Sequence, residues 1–230
     1  LARIARAHGA TSVIDNTWAG PTGFAALEKG VDITLMALTK HIGGHSDLMM
    51  GSASAGPDLY RQLRLRAQNL GHVVSPDDAA LALRGLRTLS LRLERQTASA
   101  TKIAHWLREQ PEVSHVLCPM LPEAPGHDVW ARDFKGGCGL FSFVLRGRTA
   151  AQRNRLIDSL TLLGIGFSWG GFESLALPIE PATVRKVMPW PPAHHDPSDR
   201  YAVRLSIGME DADALIADIA QALQAMAEVF

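Results

Sequence analysis

An α/β fold is predicted for this chain, and three observations predict it. Apolar residues make up 47% and charged residues 20% of 230 residues, an ordinary globular composition with enough chain to bury a core. Between residue 1 and about residue 60, helix-like and strand-like segments alternate, as they do where helices layer on a largely parallel sheet. From about residue 88 onward, strands mix with helices in a pattern that suits a second, smaller α+β domain. The division is therefore placed between 1–87 and 88–230.

Leu1–Ala7 is helix-like, and Gly9 closes it. Val13–Asp15 is a short apolar strand ending in a carboxylate. Phe24–Lys29 reads as a short helix stopped by Gly30, and the apolar run Val31–Leu38 as a buried strand. Leu48–Ala55 alternates Met, Gly, Ser and Ala, which suits a tightly packed strand; Pro57 and Asp58 then open a helix to about Leu70. Ser75-Pro76-Asp77-Asp78 combines a cap, a first-turn proline and acids near the positive end of the helix dipole. One long helix to Gln110 follows, with a kink expected near Gly85. Its Arg84, Arg87, Arg92 and Arg95 read as a solvated or salt-bridged face with no catalytic role. Glu112–Leu117 is a strand, Pro119–His127 a proline-rich loop, and Gly139–Leu145 a half-buried strand with Phe141, Phe143 and Leu145 on one face. Thr149–Leu160 is helical. Tyr201–Ile207 alternates, Val203, Leu205 and Ile207 against Ala202, Arg204 and Ser206. The last helix starts near Asp211 and places Leu215, Ile219, Leu223 and Met226 toward the core.

Several function classes are excluded at this level. Formal net charge is +0, so nothing favours a nucleic-acid or anionic-membrane partner, and no apolar run approaches a membrane span. The two cysteines, Cys118 and Cys138, have no metal-like spacing and suit inert packing in a cytoplasmic, reduced setting; no signal peptide is visible. His41 and His45 enclose Gly43-Gly44 rather than a helix turn, and His194-His195 sits in a proline-rich loop that suits solvation, so no metal is expected.

Chemistry concentrates around Lys40, at the end of the apolar run and before a glycine turn. Two readings stand for a lysine so placed: a buried stem with the amine in water, or an amine whose pKa burial lowers and which forms a Schiff base with a carbonyl. Asp15 ends the preceding strand, and ligands in open α/β sheets collect at the carboxyl ends of strands. An acid beside a pyridinium nitrogen and a lysine on an aldehyde carbon are the groups that pyridoxal phosphate requires. Arg204 faces away from the apolar side of its strand, where it can grip a carboxylate bidentately or make a surface salt bridge. Gly170-Gly171 lets a loop approach a ligand closely; beside it Trp169 suits core packing or a ligand contact.

The order of these motifs resembles the Cys/Met-metabolism family of pyridoxal-phosphate enzymes, and most closely its cystathionine β-lyase branch. The residues are Asp15-Asn16-Thr17, Thr39-Lys40, Gly44-His45-Ser46-Asp47, Ser168-Trp169-Gly170-Gly171-Phe172-Glu173-Ser174 and Arg204-Leu205-Ser206-Ile207-Gly208-Met209-Glu210. The resemblance runs from about Ser12 to the end; tryptophan at 169 is what points to β-lyases. It implies a PLP-dependent transferase-like large domain, represented here by its C-terminal part in 1–87, followed by the small domain. Since the chain opens at Leu1 inside a helix, it also implies a C-terminal fragment of a longer enzyme. The cofactor would be pyridoxal 5'-phosphate, held by Lys40, Asp15, Thr39 and Thr17. Lys40 would also be the catalytic base, and Arg204, Ser168 and Trp169 would bind substrate. The family's frequent serine three residues before the lysine is Ala37 here, so one phosphate donor is missing or supplied elsewhere. The implied reaction is α,β-elimination of L-cystathionine, an amino-acid thioether, to homocysteine, pyruvate and ammonia in a homotetramer. A γ-synthase or γ-lyase reaction on the same fold, and a non-catalytic α/β module with a structural lysine, are the alternatives.

Overall fold

In the computed structural model, residues 1–185, 187, 189–190 and 196–228 are described; His194-His195 lies outside them. The chain divides into two compact units: residues 1–93 with 133–137, and 94–132 with 138–230.

The first unit contains α1 (Ala2–Ala7), β1 (Val13–Asp15), α2 (Gly20–Gly23), β2 (Ile33–Ala37), β3 (Gly51–Ala55), α3 (Pro57–Asn69), α4 (Pro76–Leu86) and the start of α5 (Leu89–Arg108). Its sheet has the order β1-β2-β3. β1 lies parallel to β2 with Asp15 opposite Leu35; β3 is antiparallel to β2 with Ala37 opposite Gly51. The carboxyl ends of β1 and β2 thus share one edge of the sheet, and the Lys40 loop bridges β2 to β3.

Two expectations are corrected here. Phe24–Lys29 is not helical. The helix forms one step earlier, over Gly20–Gly23, where Pro21 suits the first turn. Phe24 is extended, its ring stacked on Phe134 at 4.6 Å, so an aromatic contact distant in sequence overrides the local pattern. The long helix from Pro76 is two helices, broken at Arg87-Thr88. At the break, the Gly85 carbonyl accepts from the Thr88 backbone N–H, the Thr88 hydroxyl and the Arg92 guanidinium, which diverts it from the regular ladder. The Ser75 cap is present, its hydroxyl accepting from Asp78 N–H at 3.0 Å.

The second unit contains the rest of α5, then β4 (Val113–Leu117), α6 (His127–Asp133), β5 (Leu140–Leu145), α7 (Ala150–Asp158), β6 (Gly164–Ile165), β7 (Leu175–Ile179), α8 (Pro181–Val184), β8 (Ala202–Ser206) and α9 (Ala212–Ala227). Its sheet has the order β4-β5-β8-β7-β6, antiparallel except for the β6–β7 pair. Helix α6 and strands β6 and β7 have no counterpart in the sequence reading. One face of the sheet (Phe141, Phe143, Leu145, Val203, Leu205) packs on Ile103 and Leu107 of α5, Leu156 of α7, and Leu215, Ile219, Leu223 and Met226 of α9. The opposite face is covered too: Ala202 and Val144 are fully buried with Trp190. Thr149 caps α7 in a full capping box with Gln152. Among the described residues, no helix is long and apolar enough to cross a membrane, and no three His, Cys, Asp or Glu side chains are grouped to hold a metal.

Candidate functional site

In the first unit, the ends of β1 and β2 are tied together by Thr17. Its buried hydroxyl donates to Asp15 Oδ1 at 2.5 Å and accepts from Ala37 N–H at 2.9 Å. The Thr17 backbone N–H also donates to Asp15 Oδ1, at 2.9 Å. The exposed Asp15 carboxylate is thereby oriented through one oxygen, and among the described residues no hydrogen bond falls on Oδ2. That oxygen suits a ring N–H donated from outside the chain. Asn16 supports the same corner, its side-chain amide donating to Gly20 and Phe24 carbonyls.

Thr39 closes the neck of the Lys40 loop. Its backbone N–H and hydroxyl both donate to the Met50 carbonyl, and its hydroxyl accepts from Met50 N–H at 3.0 Å. Its hydroxyl is therefore engaged within the chain, while Lys40 is half-buried one residue on. The turn is held internally by Gly43 N–H to Leu38 O at 2.7 Å and Gly44 N–H to Lys40 O at 2.8 Å. His41 is buried, and burial first, opposed by a backbone contact at Trp18 and reinforced by the Arg92 and Lys40 charges, lowers its pKa from 6.5 to about 4. It is a neutral imidazole at neutral pH.

Arg92 corrects the expected solvated arginine face. Arg84, Arg87 and Arg95 are exposed, but Arg92 is buried, 6% exposed. Its Nη1 donates to His41 O at 2.7 Å, Nη2 to Gly85 O at 2.7 Å and Ile42 O at 3.2 Å, and Nε to Thr88 Oγ1 at 3.1 Å. A signal for this was present in the sequence: Leu89, Arg92, Leu93 and Gln96 recur at helical spacing, and all four are buried.

In the second unit, Arg204 lies on the central strand β8, opposite Ser142 of β5 and Leu177 of β7. Its Nη2 donates to the Phe167 carbonyl at 2.6 Å and the Ser168 carbonyl at 3.3 Å. Its Nε is buried and has no hydrogen-bond partner among the described residues. A buried charged donor without an acceptor is costly, and a carboxylate from outside the chain would satisfy it. Partial burial lowers the guanidinium pKa without removing its charge at neutral pH. Ser168 is exposed and Trp169 half-buried on the loop that Arg204 grips.

The two later motifs interlock. Glu210 accepts from Ser174 N–H and Ser174 Oγ, each at 2.7 Å, and Ser174 Oγ accepts from Gly208 N–H at 2.8 Å. Met209 N–H reaches Phe172 O, Gly170 N–H reaches Ser206 Oγ, and the buried Gln96 donates to Gly171 O at 2.7 Å. Neither Gln96 nor this interlock was anticipated from sequence. The Cys118 and Cys138 thiols are buried, which raises both pKa values, that of Cys138 to about 12.

Comparison with known proteins extends this picture. The family model described as Cys/Met metabolism PLP-dependent enzyme matches residues 1–224. The cystathionine β-lyase MetC of Escherichia coli (strain K12) is 42% identical over 208 residues, covering 90% of this chain and 52% of that protein. The L-methionine γ-lyase of Pseudomonas putida is 38% identical, covering 99% of this chain and 57% of that protein. The solved cystathionine γ-synthase of Xanthomonas oryzae pv. oryzae, in complex with cystathionine, matches with a TM-score of 0.87 at 35% identity, over 99% of this chain and 59% of that one. The chain thus spans about half the length of the curated relatives it matches.

Proposed function

The chain belongs to the Cys/Met-metabolism PLP-dependent enzymes, and from that premise we propose that the whole protein is a carbon–sulfur lyase of the cystathionine β-lyase type. Its fold is that of the type I pyridoxal-phosphate enzymes, and members of this family use pyridoxal 5'-phosphate. The chemistry this cofactor supplies when bound is an electron sink for the carbanion that forms at Cα of an amino acid.

The chain's own residues divide the remaining work. Lys40 would hold the cofactor, and its amine would be the base that takes the substrate's Cα proton. The electron pair of that Cα–H bond becomes the Cα–Cβ double bond, the Cβ–S pair leaves with the thiolate, and the protonated Lys40 would return its proton to the sulfur. The enamine left behind hydrolyses to pyruvate and ammonia. Asp15, oriented by Thr17, would hold the proton on the cofactor's ring nitrogen, and Thr39, which closes the neck of the Lys40 loop, would help hold the cofactor with Thr17. Arg204 pairs with the substrate carboxylate, with Ser168 and Trp169 on the same loop. Residues 1–87 carry the cofactor side of this division and 88–230 the small domain. The whole enzyme is a cytoplasmic homotetramer on this reading, which makes neither nucleic-acid nor membrane contacts.

The observation that carries the reading is the Thr17 hydroxyl, bonded at once to the Asp15 carboxylate and to the Ala37 amide just before Lys40. It couples the acid and the lysine segment at one edge of the sheet. A γ-type elimination on the same fold is favoured by one observation, the 38% identity to the P. putida γ-lyase.

The deciding experiment is the visible absorbance of the holoenzyme, repeated in Lys40→Ala, with keto-acid assay on L-cystathionine. Expected are a lysine-dependent band, pyruvate as product, and a loss of turnover of about 10³-fold in the variant. Release of 2-oxobutyrate instead moves the protein to the γ branch. A band that survives in Lys40→Ala, or no band at all, overturns the assignment.

A further inference from the structure

We propose that Arg92 is a positioning residue for Lys40: its buried guanidinium fixes the backbone of the turn that aims the lysine amine. The proposal rests on the assignment of Lys40 made above and adds to it a residue outside the expected site.

Burying a guanidinium carries a cost. A leucine would fill the volume of Arg92 without taking a charge out of water, so the buried charge is explained by what it bonds. Among the described residues, its four hydrogen bonds all go to neutral oxygens, and two of these are the carbonyls of His41 and Ile42, the residues that directly follow Lys40. The preceding carbonyl, that of Lys40 itself, accepts from Gly44 N–H. Three successive peptide planes are therefore fixed, one from within the turn and two by the guanidinium. A side chain on a fixed backbone keeps only its rotamer freedom, which is the condition for holding a reacting amine in register with a substrate.

The chain also makes room for this grip. A Cβ at Gly44 would overlap the Arg92 guanidinium, and Gly44 has φ +68, a left-handed conformation that glycine adopts without strain. A Cβ at Gly85 would overlap the carbonyl oxygens of Ile42 and Gly43, so α4 reaches the turn only because glycine stands there. The planar fork of arginine suits three divergent carbonyls, whereas the ammonium of lysine is a point donor.

The test uses the holoenzyme carrying Arg92→Lys, with the exposed Arg87→Lys as control, and L-cystathionine as substrate. In Arg92→Lys the lysine-linked absorbance is expected to persist and KM to stay within about twofold, while kcat falls about 100-fold. Amide exchange at Gly43 and Gly44 is expected to rise about tenfold, with Arg87→Lys unchanged in both respects. An Arg92→Lys enzyme whose kcat and Gly43 and Gly44 exchange match wild type overturns the proposal, as does one whose only change is a lower melting temperature. Should Arg92→Lys fail to fold, Thr88→Val removes the acceptor of Nε, together with the hydroxyl's own bond to the Gly85 carbonyl, and leaves the guanidinium's three carbonyl acceptors in place. A rise of about threefold in Gly43 and Gly44 exchange then supports the proposal, and no local rise overturns it. Failure of the Lys40 assignment reads out separately, as a lysine-linked band that survives Lys40→Ala.

Discussion

His41 follows Lys40 in sequence, and at the scale of single residues it illustrates what tertiary burial does to a titratable group. Its imidazole pKa falls from 6.5 to about 4, chiefly through desolvation. A depressed folded-state pKa means that the native state resists the proton. The contribution to stability is complete above the unfolded value near 6.5 and is lost as pH falls toward 4. The shift corresponds to roughly 3 kcal/mol at most. Melting temperature measured across this range should therefore fall more steeply on acidification in wild type than in His41→Leu. Equal slopes would show that His41 titrates normally. The lysine next to it was legible from sequence because a cation at the end of an apolar strand is unusual. Arg92 was missed: its helical spacing with Leu89, Leu93 and Gln96 marks a buried face, but the four arginines of this stretch were read together as one solvated face.

At the scale of elements, the interlock between the loop ending at Ser174 and the segment after β8 explains why two motifs far apart in sequence occur together. Glu210 is the hinge of that arrangement, since its carboxylate takes both donors of Ser174. Hydrogen bonds to a charged group contribute about 1.5–3 kcal/mol each, less where exposure screens them, and Glu210 is half-buried. Glu210→Ala should lower stability by about 2 kcal/mol in calorimetry. It should also raise KM for L-cystathionine about tenfold, because the loop whose carbonyls hold Arg204 is released. Unchanged KM in a destabilised variant would confine Glu210 to folding. The strands and helices with clean periodicity, β5, β8 and α9, were readable because one face of each meets a single apolar layer. Helix α6 and strands β6 and β7 were not. The first is held by tertiary contacts around a proline-rich loop, β6 is only two residues long, and β7 is apolar at every position and interrupted by Pro178, so neither strand shows a period.

The whole molecule offers a probe of its own packing in Cys118 and Cys138. Both lie in the second unit, 1% and 0% exposed, with thiol pKa values raised by burial. A thiol reagent at mildly alkaline pH should label neither in the native protein and both in denaturant, with labelling rates that follow opening of this core. Fast native labelling of Cys138 would contradict the burial that raises its pKa. Composition, the ordered motifs, and the lysine and aspartate at strand ends determined the α/β class and the family from sequence alone. They could do so because strand periodicity and motif spacing are properties of the chain as a string. Tertiary structure alone decided that Thr17 links Asp15 to the Lys40 strand, that Arg92 turns inward onto the Lys40 loop, and that Arg204 keeps a buried donor without an acceptor among the described residues. Each of these depends on which groups lose water when distant segments pack, and desolvation is set by three-dimensional neighbours rather than by sequence order.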